Sequence, residues 1–246
     1  MKLYHQVQRQ NEDDARNTIT GGEEDGGNIK VTDCSKLTSM YGLPITCEWL
    51  QLVNNRRSDI TFESDAKAIL VIEKEAIYTR LCEDKFFDRC PCIIITGKGF
   101  PDLATRACVA ILHRGLDIPC YGVCDLNPYG VGVLKTYFKG SVSLGKEADM
   151  YRVPINWLGL RPSQVAELGD DLPEQVFQAL TDNDEKQLSS LMSECCEFMD
   201  LHEDRRAELY DMQENGYKLE LESLQWFGLD FFGNWLFERI LEEDVI

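Results

Sequence analysis

Cys120-Tyr-Gly-Val-Cys-Asp-Leu-Asn-Pro-Tyr-Gly130 is the stretch on which the reading of this chain turns. Residues 119–124 form a short apolar run of the length of a buried strand. The run ends on Asp125, with Asn127 two positions later. Pro128 and Gly130 make a turn, and residues 131–138 are apolar enough for the helix that follows. An acid at the C-terminal end of a buried strand faces the crevice where open α/β sheets bind ligands. Strand alternation puts Asp125 and Asn127 on one side. Two hard oxygen donors there suit Mg²⁺, which keeps several waters of its own. A plainer reading stands beside it, because Asp and Asn are also ordinary turn formers and helix caps.

Working outward, the same pattern recurs upstream. Ala68-Ile-Leu-Val-Ile72 reads as a fully buried strand ending on Glu73, and residues 75–84 then have helical spacing, with Ala76, Ile77, Leu81 and Cys82 apolar. Cys92-Ile-Ile-Ile-Thr96 is a second such strand, closed by Gly97-Lys98-Gly99. Pro101 and Asp102 introduce a helix over residues 103–113. Strand–helix alternation with near-continuous apolar strands predicts an α/β fold, a mostly parallel sheet covered by helices on both faces. Right-handed crossovers then bring Glu73, the Gly97 turn and Asp125 to one sheet edge.

Downstream, Ser141-Val-Ser143 and residues 151–155 could add strands, and Asn156-Trp-Leu-Gly-Leu-Arg-Pro162 reads as a turn into a helix. From Pro173 the chain reads as helical and acidic: a helix capped by Thr181, another over residues 205–227, and an amphipathic piece over residues 235–241 after a turn at Gly228. At the other end, residues 1–28 are polar and include Gly21-Gly-Glu-Glu-Asp-Gly-Gly27, so little order is expected there. Residues 29–63 mix short apolar runs with turns such as Gly42-Leu-Pro44.

The chain has 246 residues, 43% of them hydrophobic, enough for a sizeable core. No apolar run reaches the roughly 18 residues of a membrane span, and no membrane partner is expected. Met1 is followed by a polar stretch without a secretory pattern. Ten cysteines form no zinc framework and read as reduced, mostly buried thiols, as expected in the cytosol or nucleus. The net charge is −18, and it is unevenly spread: −1 over residues 1–146 and −17 over residues 147–246. The second part alone would repel DNA, so any nucleic-acid role rests on the first part or on partner chains.

The order Glu73, glycine-rich turn, Asp125-x-Asn127 resembles the Toprim domain, the metal-binding module of topoisomerases, primases and related nucleases. Closer wording is carried by Val71-Ile-Glu-Lys-Glu-Ala76, Ile95-Thr-Gly-Lys-Gly-Phe-Pro-Asp-Leu-Ala-Thr-Arg106, Asp125-Leu-Asn-Pro-Tyr-Gly130, Tyr137-x-x-Gly-Ser141 and Trp157-Leu-Gly-Leu-Arg-Pro-Ser163. These segments resemble the A subunit of DNA topoisomerase VI and, more closely, its eukaryotic relatives that make meiotic double-strand breaks. The resemblance runs from about residue 64 to the C-terminus. It divides the chain into a flexible segment (1–28), a partial N-terminal or linker segment (29–63), a Rossmann-like Toprim core (64–165) and a helical part packed on it (166–246).

The resemblance implies a nuclear enzyme of the type IIB topoisomerase class, whose complex hydrolyses ATP. In that class a tyrosine of a winged-helix domain attacks DNA and stays joined to its 5′ end. The Toprim domain of the other protomer supplies Mg²⁺, and a B-type subunit completes the assembly. Carried over by motif, Glu73 is a metal ligand and proton-transfer group, Asp125 the principal ligand, and Asn127 a weaker one standing where the family most often has Asp. Lys98 and Arg106 could touch DNA phosphates or be solvated surface charges. No nucleophile is found: Tyr4 and Tyr41 precede Glu73, and neither lies in the family's Arg-Asp-x-Tyr-Tyr context. The chain is therefore expected to be a truncated product, an alternative isoform or an incomplete gene model. Two further readings are a Toprim scaffold that dimerises without cutting, and a Toprim nuclease that uses water.

Overall fold

The computed structural model describes residues 2–4, 45, 47, 50, 62, 64–139, 148–193, 197–200 and 202–246. The turn expected at Gly42-Leu-Pro44, the strand expected at Ser141-Val-Ser143, Tyr41, and two of the ten cysteines, Cys195 and Cys196, lie outside the described residues.

Four strands run parallel: β2 (Ala68–Ile72), β3 (Cys92–Thr96), β4 (Cys120–Val123) and β5 (Ile155–Gly159). Every residue of β2 and β3 is buried, which is what continuous apolar strands covered on both faces require. The sheet order is β1-β3-β2-β4-β5, where β1 (Lys2–Tyr4) pairs antiparallel with β3. This strand lies in a segment expected to have little order. Its physical role is plain, since without it β3 would present an unpaired edge of backbone groups. The opposite edge is covered too: Trp157 of β5 and Ile246 exchange two backbone hydrogen bonds, of 2.6 and 3.2 Å.

Helices alternate with the strands as the periodicity predicts. α1 (Glu75–Glu83) buries Ile77, Tyr78, Leu81 and Cys82 along one face. A short α2 (Phe86–Arg89) precedes β3. α3 (Leu103–Leu116) starts at Asp102, whose side chain accepts from the Thr105 N–H at 2.8 Å, and ends at Asp117 in the left-handed region. α4 (Pro128–Lys139) begins three residues earlier than hydrophobicity alone suggests, because Pro128 suits the first helical position. It lies tight on the sheet: a Cβ on Gly122 of β4 would come within 2.4 Å of Leu134. Seven cysteines are free among the described residues, and six of them are buried.

The C-terminal third departs most from expectation. The segment read as a turn, residues 156–159, is β5, and α5 (Pro162–Glu167) follows it. The expected strand at residues 151–155 overlaps β5 only at Ile155. After a two-residue strand β6 (Gln178–Ala179) come α6 (Asp182–Met192), capped by Thr181 as read, then α7 (Glu197–Asp200) and α8 (Glu203–Asn215). The single helix expected over residues 205–227 stops at Gly216, whose φ of 68° ends α8 in the left-handed conformation that glycine tolerates. Beyond it, β7 (Tyr217–Lys218) pairs with β6, a 3₁₀ segment covers Leu221–Phe227, and α9 (Phe231–Leu241) closes the chain. No helix among the described residues is long and apolar enough to cross a membrane.

Candidate functional site

β2 sits in the middle of the parallel set, and the chain leaves it first for β3 on one side, then for β4 on the other. The crevice between the C-terminal ends of β2 and β4 is thus the switch point where such sheets bind ligands. Glu73 directly follows β2, and Asp125 lies two residues beyond β4. The structure brings them together: the Asp125 backbone N–H donates to Glu73 Oε2 at 3.0 Å. The turn after β3 joins the same knot, with the Gly99 N–H donating to the Glu73 carbonyl at 2.8 Å. Gly130 explains its place in the motif: a Cβ there would meet the Asp125 carbonyl at 2.6 Å and Glu73 Oε2 at 3.0 Å.

A fourth component comes from the C-terminal region and went unread in the sequence. Leu126 and Leu219 exchange two backbone hydrogen bonds, of 2.9 and 3.0 Å, as an antiparallel bridge. The Leu221 N–H donates to Asp125 Oδ1 at 2.9 Å. This contact sets Glu220 and Glu222 beside the crevice. Lys74 Nζ lies 2.9 Å from Glu222 Oε2, 3.3 Å from Glu220 Oε2 and 3.6 Å from Asp125 Oδ2. The signal was present in Lys218-Leu-Glu-Leu-Glu222, where apolar and acidic residues alternate with a strand-like period of two. A helical reading averages that period away.

The charges are poorly neutralised. Burial, and then the Asp125 carboxylate, push the Glu73 carboxyl up to about 7. Burial also raises Asp125, partly offset by the Leu221 N–H and by Lys74. Burial would lower the Lys74 ammonium, but the hydrogen bond to Glu222 and the charges of Asp125 and Glu222 outweigh it and raise the group instead. These carboxylates are hard oxygen donors of the kind Mg²⁺ takes with several waters of its own, and among the described residues no three or more acidic, histidine or cysteine side chains are grouped so as to hold a metal ion by themselves.

The other candidates fall in different places. Asn127 Oδ1 accepts from the Gly130 N–H at 2.8 Å, capping α4, so the plainer reading of that residue accounts for its contact. Lys98 sits in the turn after β3 and forms a surface ion pair with Glu75 at 2.9 Å. Arg106 is 6% exposed, and its nearest charged and phenolic neighbours include Tyr137, Tyr151 and Asp102. The phosphate contact expected of Arg106 has no surface to act from: α3 turns that side chain into the protein.

The Toprim domain of the TOP6A-Spo11 family, which unites topoisomerase 6 A subunits with Spo11, matches residues 68–240, from β2 into α9. The meiotic recombination protein SPO11-2 of Oryza sativa subsp. indica is 41% identical over 199 residues, which cover 78% of this chain and 48% of that protein. SPO11-2 of Arabidopsis thaliana is 35% identical over 224 residues, 88% of this chain and 53% of that protein. The A3 subunit of DNA topoisomerase 6 from Oryza sativa subsp. indica is 38% identical over 170 residues, 69% of this chain and 38% of that protein. The chain spans about half the length of the SPO11-2 relatives it matches. With a parallel sheet carrying Glu73 and Asp125 at its switch point, and a match that runs through nearly all of the described sheet, this chain belongs to the TOP6A-Spo11 family.

Proposed function

We propose that this chain holds Mg²⁺ for a nuclear protein that breaks both strands of DNA in meiotic recombination, in the manner of the A subunits of type IIB topoisomerases. The observation that carries the reading is the Glu73–Asp125 pair at the sheet's switch point, the half-buried Glu73 carboxylate accepting the backbone N–H of the buried Asp125, with both acids short of positive charge. Toprim domains are generally metal-binding, and Glu73 and Asp125 are the residues that would hold the ion here. Bound Mg²⁺ would supply charge neutralisation at the transferring phosphate and orient the leaving oxygen.

The chain's own residues do the rest. Without a cation the Glu73 carboxyl, raised by burial and by Asp125, keeps its proton more readily than an ordinary carboxylate, and it gives that proton up on taking an ion. Asp125 is kept in one orientation by the Leu221 N–H and Lys74. Lys98, half-exposed in the adjoining turn, can meet a phosphate by exchanging its partner Glu75. The acidic charge of residues 147–246 directs a duplex toward the other part of the surface. A second copy and a B-type subunit complete the assembly in this reading.

Two measurements test it. Mn²⁺ retained by the protein, counted from the electron paramagnetic resonance signal of the free ion, is expected to drop sharply in Asp125→Ala and in Glu73→Ala. Equal retention by all three proteins would sink the metal site. Incubation with DNA and Mg²⁺ followed by denaturing gels is expected to give no covalent adduct with this chain alone. Adducts are expected once a winged-helix fragment of a longer relative is added. An adduct from the lone chain would place the nucleophile within it and overturn the division of labour.

A further inference from the structure

We infer that Cys90 and Cys92 form a reversible disulfide with a peroxide as oxidant, which makes this end of the sheet a redox-sensitive site. The inference stands apart from the metal reading, because the pair lies at the N-terminal end of β3 and the crevice at the C-terminal ends of the strands. Thiols from three elements gather there: Cys82 of α1, Cys90 at the end of α2 and Cys92 at the start of β3. All three are free of disulfides, and the Cys90 and Cys92 side chains are hydrogen-bonded to each other. Only Pro91 separates the two in the chain. Its carbonyl accepts from the Lys67 N–H at 2.8 Å, and the Cys90 N–H donates to the Phe86 carbonyl at 3.0 Å. The backbone that carries both sulfurs is therefore held on either side, and the sulfurs need only a short approach to bond.

The two thiols differ in reactivity. Cys90 is 7% exposed and Cys92 2%. The hydrogen bond from Cys92 lowers the Cys90 thiol against the effect of burial, and the Arg89 charge adds to the lowering. Burial raises Cys92, and the hydrogen bond to Cys90 raises it further. The thiolate is the nucleophile, so Cys90 reacts first and Cys92 resolves. The Cys90 sulfur attacks one peroxide oxygen, the O–O bond breaks, and Cys90 becomes a sulfenic acid while the other oxygen leaves as hydroxide. The Cys92 sulfur then attacks the Cys90 sulfur, the S–O bond breaks, and a second hydroxide leaves. The protons of the two thiols convert both hydroxides to water. The thiols are oxidised, and one peroxide is reduced. In a reducing compartment such a bond is transient, which suits a sensor rather than a permanent staple. Arg89 also holds α9, donating to Asn234 Oδ1 at 2.6 Å and to the Gly233 carbonyl at 2.9 Å, so the bond forms next to the clamp between α2 and α9.

The test exposes the full 246-residue chain, freshly reduced, to increasing hydrogen peroxide. Remaining thiols are alkylated with iodoacetamide under denaturing conditions, and the tryptic peptides are weighed. Cleavage after Arg89 and Lys98 gives a peptide that contains Cys90 and Cys92 and no other cysteine. That peptide is expected to lose two hydrogens and both sites of alkylation before Cys108, Cys120 and Cys124 react, and to regain them after dithiothreitol. Cys92→Ser is expected to leave Cys90 as a sulfenic acid that dimedone traps, and Cys82→Ser to form the same bridge as wild type. The principal readout comes from the wild-type chain, so it does not depend on the folding of a variant. Cys90 and Cys92 both still alkylated when the exposed Cys47 is fully oxidised would overturn the inference. A bridge from Cys82 in place of the Cys90–Cys92 bond would overturn it as well.

Discussion

At the edge of the sheet, three carboxylates, of Asp125, Glu220 and Glu222, lie within 3.6 Å of one ammonium, that of Lys74, and Glu73 adjoins them through the Asp125 N–H. Across β5, Asp244 is met by Arg161, by Gln164 at 2.9 Å and by Arg239 at 3.1 Å, while Glu208 takes the Ser163 N–H at 3.0 Å and lies 4.0 Å from Arg161 Nε. Both clusters gather acidic side chains, and their electrostatics are opposite. Burial raises Glu73 and Asp125 without full compensation. Burial also acts on Asp244, but the hydrogen bonds from Arg161 and Gln164 prevail and hold it below the ordinary carboxylate range. One cluster sets arginines against its acids and ties α5 and α8 to the C-terminal residues. The other keeps a surplus of negative charge.

The strongest way to break the comparison is to remove the cation from the complete cluster. Arg161→Ala leaves the nearly buried Glu208 without its arginine and Asp244 with Arg239 alone. Urea unfolding is expected to show a loss of about 3–5 kcal/mol, as for a broken buried pair. Comparable stability in this variant would mean that the clasp contributes nothing.

Next in size is the pH dependence of the metal-free protein. The Glu73 carboxyl is raised from 4.5 to about 7 in the fold. Its contribution to stability is fully present below the unfolded value and is lost as pH rises toward 7, up to about 3 kcal/mol. Asp244 runs the other way: its contribution is present above the unfolded value and is lost as pH falls through its lowered folded value. Unfolding midpoints measured in chelator from pH 4 to 8 should therefore decline above pH 5, and Glu73→Gln should flatten that decline. An unchanged slope in Glu73→Gln would assign it elsewhere.

The same proton sharpens the contrast in ligand binding. The proposed Mg²⁺ site takes Glu73 in its ionised form, so below about pH 7 affinity is expected to rise by up to tenfold per pH unit, levelling off above it. Calorimetry in buffers of different ionisation enthalpy would reveal the released proton. Smallest of all is the effect at Asn127. Asn127→Ala removes the cap on α4 and is expected to cost about 1 kcal/mol. Asn127→Asp retains the cap, adds a negative charge and is expected to bind Mg²⁺ more tightly than wild type. Weaker binding in Asn127→Asp would turn that side chain away from the ion.

Much of the surplus-charge site was legible in the sequence, because its two main residues end strands whose apolar runs are unambiguous. Glu73 and Asp125 follow directly from reading β2 and β4. Gly130 and Pro128 marked the turn, and only the first helical turn of α4 was missed. What the sequence concealed were contacts made across long separations. Glu220 and Glu222 look like solvated charges on a helix until Gly216 is seen to stop α8. Arg106 looks like a surface cation, and only the packing of α3 shows it buried. β5 was hidden because Trp157, Leu158 and Gly159 sit among turn-like residues, and pairing with β4 decides the matter.

The bridge between Leu126 and Leu219 also bears on time. Asp125 and Leu221, joined by a hydrogen bond, stand 96 residues apart in the chain. A ribosome adding about 5–20 residues per second needs roughly 5–20 s to travel between them. Throughout that interval the nascent protein has Glu73 and Asp125 but not yet the acidic segment that closes on them. Closure of the crevice is therefore a late event in the life of each molecule, following synthesis of residues 219–222 rather than that of the sheet. Ribosome-stalled chains ending just before Leu219 should hold Mn²⁺ more weakly than chains extended past α9. Equal retention would mean that the first two carboxylates are ready as soon as the sheet forms.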